Sequence, residues 1–182
     1  MIYEECFIKG VWVITPRQYS DARGVFMETY KKAEFDATIG EVNFVQDNCS
    51  ISSRGVLRGL HYQKGASSQA KLVSVLRGAI LDVVVDMRCG SPTLGKHVAV
   101  ELNEQNRKML FVPRGFAHGF VALHDHTVVC YKVDNPYSPK DEACLRFDEP
   151  LLKIDWRLEK EEIILSPKDA EGTSWNEAYC YE

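Results

Sequence analysis

Short stretches in which apolar and polar residues alternate dominate the sequence, and they limit the folds that this chain can adopt. Examples are GVWVITP, KLVSVLRG, HVAVEL and TVVCYKV, and turns rich in glycine, proline or charged residues separate such stretches at short intervals. Alternation with a period of two places successive side chains on opposite faces of a β-strand. Many such strands joined by short turns are typical of a β-sandwich or barrel. The sequence therefore predicts an all-β fold.

Helical patterns are few. The segment TYKKAEFDATIG predicts one short helix that ends near Gly40, and LEKEEIIL predicts another turn or so. The chain has 182 residues, enough for one domain with a sizeable core and too few for two ordinary ones. Because it contains no repeat, low-complexity tract or linker, we expect residues 1–182 to form a single domain with peripheral helices.

Charge and hydropathy exclude several classes of protein. A formal net charge of -4 gives no general attraction to nucleic acid or to anionic membranes. The most apolar stretch, AILDVVVDM, is short and is interrupted by Asp82 and Asp86, so no membrane span is expected. The first residues, MIYEECFIKG, lack a basic start followed by an apolar run, so no signal peptide is expected. We expect a cytoplasmic location.

Six cysteines are scattered along the chain and form no C-x-x-C pair: Cys6, Cys49, Cys89, Cys130, Cys144 and Cys180. Without a secretion signal, such cysteines are expected to be free thiols. Cys49 and Cys130 lie in strand-like segments, where they are predicted to act as small core hydrophobes. A structural zinc site is not expected.

Two motifs contain isolated histidines. One is G-x5-H-x-Q, from Gly55 through His61 to Gln63, and the other is P-x-G-x-x-H, which ends at His118. Together they resemble the paired signatures of the cupin superfamily, a double-sheet jelly roll. Metal-binding cupins have a second histidine where this chain has Gln63, and a glutamate that is missing here. One imidazole from each motif is too few for a metal site, so we expect no metal.

A pocket with two histidines and no metal suggests acid–base chemistry, because imidazole titrates nearest neutral pH. The structural alternative is that both histidines are buried core residues with hydrogen-bond partners. The tripeptide His124-Asp125-His126 also matches the H-x-H pattern, but it lies between two predicted strands and contains an acid. A solvated hairpin loop is therefore predicted there rather than a metal site.

Polar residues at many separated positions resemble those of the dTDP-4-dehydrorhamnose 3,5-epimerase family. The matching segments, from about Pro16 to Asp169, are DARGVFMETY, FVQDN, GVLRGLHYQ, KLV, SPTLG, VPRGFAHGF, YKV, NPYSP and LSPKD. The resemblance implies an isomerase that epimerises dTDP-4-dehydro-6-deoxy-D-glucose at C3 and C5 in dTDP-L-rhamnose biosynthesis. It also implies that the enzyme uses no cofactor and is a homodimer.

The resemblance implies four catalytic residues. His61 would be the base, and Asp169 would hold its other ring nitrogen. Lys71 would place positive charge beside the developing C4 oxyanion, and Tyr131 would return a proton from the opposite face. Taken singly, each residue has an ordinary structural interpretation, such as a core aromatic for Tyr131 or a solvated strand end for Lys71. Only the set of four makes a site.

Substrate-binding residues follow from the same resemblance. Arg58 would contact the diphosphate, Tyr137 would lie beside the nucleotide, and His118 would support either the enolate region or His61. Apart from the resemblance, Asp82 could be the partner of His118. The full set is Arg23, Phe26, Glu28, Gln46, Asn48, Arg58, His118 and Tyr137. The first three match positions that the family lends from the neighbouring subunit. Each of these residues could equally be a surface or turn residue.

Two alternative functions remain open at this point. The first is a related enzyme on the same scaffold, either a mono-epimerase or a 3,4-ketoisomerase of a nucleotide sugar. The second is a cupin that binds nucleotide sugars without catalysis, which would not need Lys71, Tyr131 and Asp169 together. Two positions depart from the family pattern, Cys49 and Pro167. The tail 170–182 has no pattern that the sequence explains, and its aromatic residues could cover either the barrel or a dimer surface.

Overall fold

The computed structural model describes residues 1–182. Its helices are α1 (Lys32–Thr38) and α2 (Pro167–Ala170). Its strands are β1 (Ile2–Glu5), β2 (Trp12–Thr15), β3 (Gln18–Asp21), β4 (Gly24–Met27), β5 (Gln46–Ser52), β6 (Leu57–Gln63), β7 (Lys71–Arg77), β8 (Ala79–Asp86), β9 (His97–Asn103), β10 (Met109–Val112), β11 (Phe116–Ala122), β12 (Thr127–Val133) and β13 (Glu142–Cys144). The predicted short helix before Gly40 is confirmed as α1, and LEKEEIIL contains only a single 3-10 turn, Lys160–Glu162.

Two antiparallel sheets form the body of the protein. The six-stranded sheet has the order β1-β2-β10-β7-β12-β5, and the five-stranded sheet has the order β13-β6-β11-β8-β9. The strands β3 and β4 form a separate two-stranded hairpin. The predicted all-β, double-sheet fold is confirmed. No helix combines the length and the apolar character needed to cross a membrane.

Apolar side chains fill the space between the two sheets and cover the outside of the smaller one. A cluster of 13 buried residues, including Val73, Ile80 and Phe120, lies between the sheets. A second cluster, including Leu60 and Trp156, lies beneath the C-terminal segment. Every residue of β8 is buried, because this strand is covered on both faces. That explains why its sequence, apart from Asp82 and Asp86, is apolar on both faces rather than alternating.

The C-terminal tail packs against the barrel. The Tyr181 hydroxyl donates a hydrogen bond to the Gln63 carbonyl oxygen (2.7 Å), and the Tyr179 amide donates one to the Tyr62 hydroxyl (3.1 Å). The ring of Trp175 lies against Gly95. The sequence left open whether the tail covers the barrel or a dimer surface. In the structure, the tail contacts the barrel.

The expectation of six free thiols was wrong for one pair, because Cys89 and Cys180 form a disulfide. The tail brings them together through a parallel bridge between Arg88 and Tyr181, a contact between distant segments that spacing does not reveal. The prediction of Cys49 and Cys130 as core residues was also wrong. Cys49 is exposed and Cys130 is half-buried, since both lie on the outer face of the six-stranded sheet. The H-x-H segment is confirmed as an exposed turn between β11 and β12.

Gly59 lies where two strands approach too closely for any side chain. A Cβ atom at this position would lie 2.5 Å from the Gly119 Cα, and the residue has a φ of +135°. We expect Gly59→Ala to lower the free energy of unfolding by about 3 kcal/mol, since it combines a backbone clash with strain. Gly90 also has a positive φ of +78° but no atom near its missing Cβ, so Gly90→Ala should cost about 1 kcal/mol. Denaturant unfolding measures both; equal losses would contradict the close-approach argument.

Candidate active site

A polar cavity opens between the two sheets. It consists of two adjoining parts of about 230 and 390 Å³, which share several polar wall residues. The shared residues are Asn48, His61, Lys71, Tyr131, Tyr137 and Glu142. His61 comes from the five-stranded sheet, whereas Lys71 and Tyr131 come from the six-stranded sheet. The structure therefore brings a histidine to one wall and a lysine and a phenol to the other.

His61 is held by a buried carboxylate. Its Nε2 lies 2.5 Å from Asp169 Oδ1, and Asp169 also accepts a hydrogen bond from the Ser166 hydroxyl (2.6 Å). Ser166 caps α2, with Pro167 at its first turn, so the local sequence LSPKD fixes the position of Asp169. The ring nitrogen of His61 that remains available to a ligand is Nδ1.

Asp169 stays ionised although it is buried. Burial on its own would raise its pKa, but hydrogen bonds from His61 and Ser166 outweigh this effect and lower the pKa below the ordinary value. A carboxylate at Nε2 places the proton of a neutral imidazole on that nitrogen and stabilises an imidazolium. The geometry therefore makes Nδ1 of His61 a proton acceptor.

His118 forms a second, deeper pair. Its Nε2 lies 2.7 Å from Asp82 Oδ1, and both side chains are buried, which places Asp82 as the partner suggested by the sequence. Directly opposite His118 on the neighbouring strand is His61. Burial lowers the pKa of His118 despite the opposing charge of Asp82. A neutral, fixed imidazole therefore lies at the base of the cavity.

Lys71 and Tyr131 have shifted pKa values. Burial lowers the pKa of Lys71 to about 8, although the charges of Asp82 and Glu142 act in the opposite direction. Lys71 still carries its proton in the majority of molecules at neutral pH. Burial raises the pKa of Tyr131, and the charge of Glu142 adds to this effect, while Arg58 acts against it. The phenol is therefore protonated at neutral pH.

Four predicted binding residues lie around the same cavity. Asn48 pairs with Tyr131 across β5 and β12, and the Gln46 amide donates a hydrogen bond to Asn48 Oδ1 (2.8 Å). Arg58 and Tyr137 are exposed where the cavity opens to solvent. They form a cationic and an aromatic contact surface outside the buried polar centre.

The remaining three predicted residues do not reach the cavity of their own chain. Arg23, Phe26 and Glu28 lie on or just after the β3–β4 hairpin and are exposed. Arg23 pairs instead with Asp21 (2.6 Å), and Phe26 keeps 70% of its surface exposed. The aromatic and charged side chains of this hairpin therefore have no contact with the cavity of their own chain.

Glu142 is a wall residue that the sequence reasoning missed. Its Oε2 accepts a hydrogen bond from the Tyr137 hydroxyl (2.6 Å), and its carboxylate forms an ion pair with Lys168. Burial would raise the pKa of Glu142, but the contacts with Lys168 and Tyr137 lower it. No motif marks Glu142, because its partners lie at separate positions in the sequence. The one available signal for a further acidic wall residue was its partner Lys168, which lies beside Asp169 in LSPKD.

One group of side chains has metal-ligand types. The ligand atoms of His61, Cys144 and Asp169 lie within 4.8 Å of one another. Burial, with a further effect of Asp169, raises the pKa of the Cys144 thiol to about 12. A protonated thiol is a poor metal ligand, and Nε2 of His61 is already directed at Asp169. The donor set therefore does not favour a metal.

Comparison with known proteins gives one consistent result. The family model described as dTDP-4-dehydrorhamnose 3,5-epimerase matches residues 5–177. The enzyme of that name from Methanothermobacter thermautotrophicus is 48% identical over 163 residues, which are 89% of this chain and 88% of the relative. Solved structures with the same fold include the dTDP-4-dehydrorhamnose 3,5-epimerase of Elizabethkingia anophelis, with 44% identity, a TM-score of 0.94 and 97% of each chain covered. The dTDP-6-deoxy-D-glucose-3,5-epimerase of Legionella pneumophila, solved in complex with dTDP-4-keto-L-rhamnose, has 42% identity, a TM-score of 0.93 and coverage of 97% and 93%.

The environment of Lys71 gives a direct test of the site electrostatics. We expect the Lys71 amine to titrate with a midpoint near 8 rather than at its ordinary value of 10.5, because burial disfavours the charged form. Asp82→Asn should lower the midpoint further, since the Asp82 charge favours protonation of Lys71. NMR of carbon-labelled lysine, assigned with Lys71→Arg, measures the titration. A midpoint near 10.5 would contradict the burial of this group.

Proposed function

The chain belongs to the dTDP-4-dehydrorhamnose 3,5-epimerase family, and from this premise we propose how its side chains carry out the reaction. The enzyme is an isomerase that epimerises dTDP-4-dehydro-6-deoxy-D-glucose at C3 and C5, which gives dTDP-4-dehydro-L-rhamnose in dTDP-L-rhamnose biosynthesis. The observation that carries the mechanism is the placement of His61 and Tyr131 on opposite walls of one cavity.

His61 is the proposed base. A carbon next to the C4 ketone is weakly acidic because its anion is an enolate. The Nδ1 atom of neutral His61 removes the proton from this carbon, and the imidazolium that forms is stabilised by Asp169 at Nε2, 2.5 Å away. The Asp169 carboxylate keeps its charge during the step, because its pKa lies below the ordinary value.

Lys71 is the proposed stabiliser of the enolate. When the proton leaves C3 or C5, negative charge develops on the C4 oxygen. A cation that is already positioned in a buried site stabilises this charge without reorganisation, and such a donor is typically worth about 3 kcal/mol. His118 lines the same cavity as Lys71, and the charge of its partner Asp82 favours the protonated form of Lys71.

Tyr131 is the proposed acid. It lies on the six-stranded sheet, across the cavity from His61, so a proton from its hydroxyl reaches the enolate on the face opposite to the one that was deprotonated. Burial raises the pKa of Tyr131, so the hydroxyl carries the proton that it must donate at neutral pH. Delivery from the opposite face is the step that inverts the carbon.

The exposed mouth of the cavity is the proposed nucleotide site. Arg58 contacts phosphate oxygens, which an arginine can bind in a bidentate manner, and Tyr137 lies beside the nucleotide. Gln46 and Asn48 bind polar groups further in. We propose no cofactor and no metal. We propose no nucleic-acid or membrane partner, because a net charge of -4 gives no general attraction to either, and the proposed location is the cytoplasm.

The proposed assembly is a homodimer in which each chain completes the site of the other. The support is the β3–β4 hairpin, which is exposed on both strands although it carries Phe26 and Tyr19. An aromatic hairpin of this kind is typical of a surface that another chain covers. Arg23, Phe26 and Glu28 would then reach the nucleotide end of the partner's cavity.

We expect His61→Ala to lower kcat by about 1,000-fold, because the reaction loses its base. Affinity for dTDP, measured by calorimetry, should be largely unchanged, since the nucleotide site lies at the cavity mouth. His126→Ala is the matched control, because it removes an exposed histidine of the hairpin loop and should keep full activity. Appreciable residual epimerisation by His61→Ala would remove His61 as the base.

We expect Tyr131→Phe to lower net inversion by about 100-fold while proton exchange at the substrate carbon persists, because deprotonation by His61 does not need the phenol. Product formation is measured by NMR, and exchange is measured by solvent deuterium uptake into recovered substrate. A parallel loss of exchange and inversion would count against Tyr131 as the acid.

A further inference from the structure

Two cysteines face each other across adjacent strands next to the active site. Cys49 on β5 is the direct register partner of Cys130 on β12, and their Sγ atoms lie 3.1 Å apart. Cys49 is exposed, and Cys130 is half-buried. The mechanism described above uses neither residue, and their spacing in the sequence does not suggest that they meet.

The cysteine pair is next to a pair of cavity residues on the same two strands. Asn48 precedes Cys49 on β5, and Tyr131 follows Cys130 on β12. Asn48 and Tyr131 form the adjacent cross-strand pair. Because side chains alternate along a strand, Asn48 and Tyr131 face the cavity while the cysteines face outward. A movement of β5 against β12 at the cysteines is therefore transmitted directly to Tyr131.

The two sulfurs are not equivalent. The Cys130 thiol donates a hydrogen bond to the Cys49 sulfur, and burial, with a further effect of this contact, raises the pKa of Cys130 to about 11. The Lys132 ammonium, 3.0 Å from Asp47, lies beside the pair on the same outer face. Because Cys49 is the exposed sulfur, an external disulfide reaches it first, and Cys130 lies where it can react second.

We propose that Cys49 and Cys130 are a redox-active dithiol that a low-molecular-weight disulfide, such as oxidised glutathione, converts to a cross-strand disulfide, and that this bond slows epimerisation. The effect on turnover rests on the proposed role of Tyr131, whereas the sulfur chemistry does not.

The exchange proceeds in two balanced steps. The Cys49 thiolate attacks one sulfur of the small disulfide, which forms a mixed disulfide and releases one small thiolate that takes up the proton lost by Cys49. The Cys130 sulfur, after losing its proton, then attacks the Cys49 sulfur and expels the second small thiol. The protein loses two hydrogens and is oxidised, and the small disulfide is reduced to two thiols.

Closing the bond shortens the distance between the two sulfurs. A disulfide has an S–S length of about 2.05 Å, so the sulfurs must approach by about 1 Å from their separation of 3.1 Å. A misplacement of about 1 Å near reacting groups can cost up to about 100-fold in rate. Since only part of the approach reaches Tyr131, we expect kcat to fall by about tenfold and to recover when a reductant is added.

The test is to incubate the full-length enzyme with oxidised glutathione and to measure its intact mass, its non-reduced peptide map and its turnover. We expect a loss of two hydrogens, a peptide that links Cys49 to Cys130, and a reversible fall in kcat. Cys130→Ser is the matched variant, because it should stop at a glutathione adduct on Cys49. Cys49→Ser should form no linked peptide. Both variants should keep basal turnover, since the proposed mechanism uses neither side chain.

Each part of the proposal has its own contrary result. Absence of the Cys49–Cys130 peptide, or a stable glutathione adduct on wild-type Cys49, would overturn the dithiol assignment. A linked peptide with unchanged turnover would overturn the coupling to Tyr131. A wild-type enzyme that showed no epimerisation before oxidation would overturn the proposed function, while the mass measurement would still report on the sulfur chemistry.

Discussion

The contact between the His61 imidazole and the buried Asp169 carboxylate is the interaction on which the rest of the site depends. It joins β6 in the barrel to α2 near the C-terminus, and the Gly59 amide adds a second hydrogen bond to the same carboxylate (3.3 Å). The contact selects which ring nitrogen of His61 is available, and so it fixes where a proton can be taken. It also explains why the C-terminal segment is packed and capped so closely: a displaced α2 would leave His61 without its partner.

Around this contact, the two sheets separate opposite chemical tasks. The five-stranded sheet carries the proposed base, and the six-stranded sheet carries the proposed acid and the cation for the enolate oxygen. Burial raises the pKa of Tyr131, which keeps the phenol protonated as its role needs, whereas it lowers the pKa of Lys71 only to about 8, which leaves that amine mostly charged at neutral pH. A double-sheet barrel holds such groups on opposing rigid walls, which is the arrangement that inversion at carbon requires.

The strands could be predicted from the sequence because alternation is a local property, whereas the burial of both faces of β8 is seen only in the structure. The partnership of His61 with Asp169 followed from family resemblance and not from spacing, because the two segments meet only in the folded chain. The same reason hid Glu142, whose partners are Tyr137 and Lys168, and the Cys89–Cys180 disulfide. Alternation also does not show which face of a strand is covered, so Cys49 was wrongly expected in the core.

The central claim is that one cavity removes a proton from one face of the sugar and returns a proton to the other, at two carbons. It is tested most directly by incubating the wild-type enzyme with dTDP-4-dehydro-6-deoxy-D-glucose in heavy water and locating deuterium by NMR and mass spectrometry. We expect deuterium at both C3 and C5 of a product that has the L configuration. Deuterium at one carbon only, or a 3-keto product, would rule out double epimerisation.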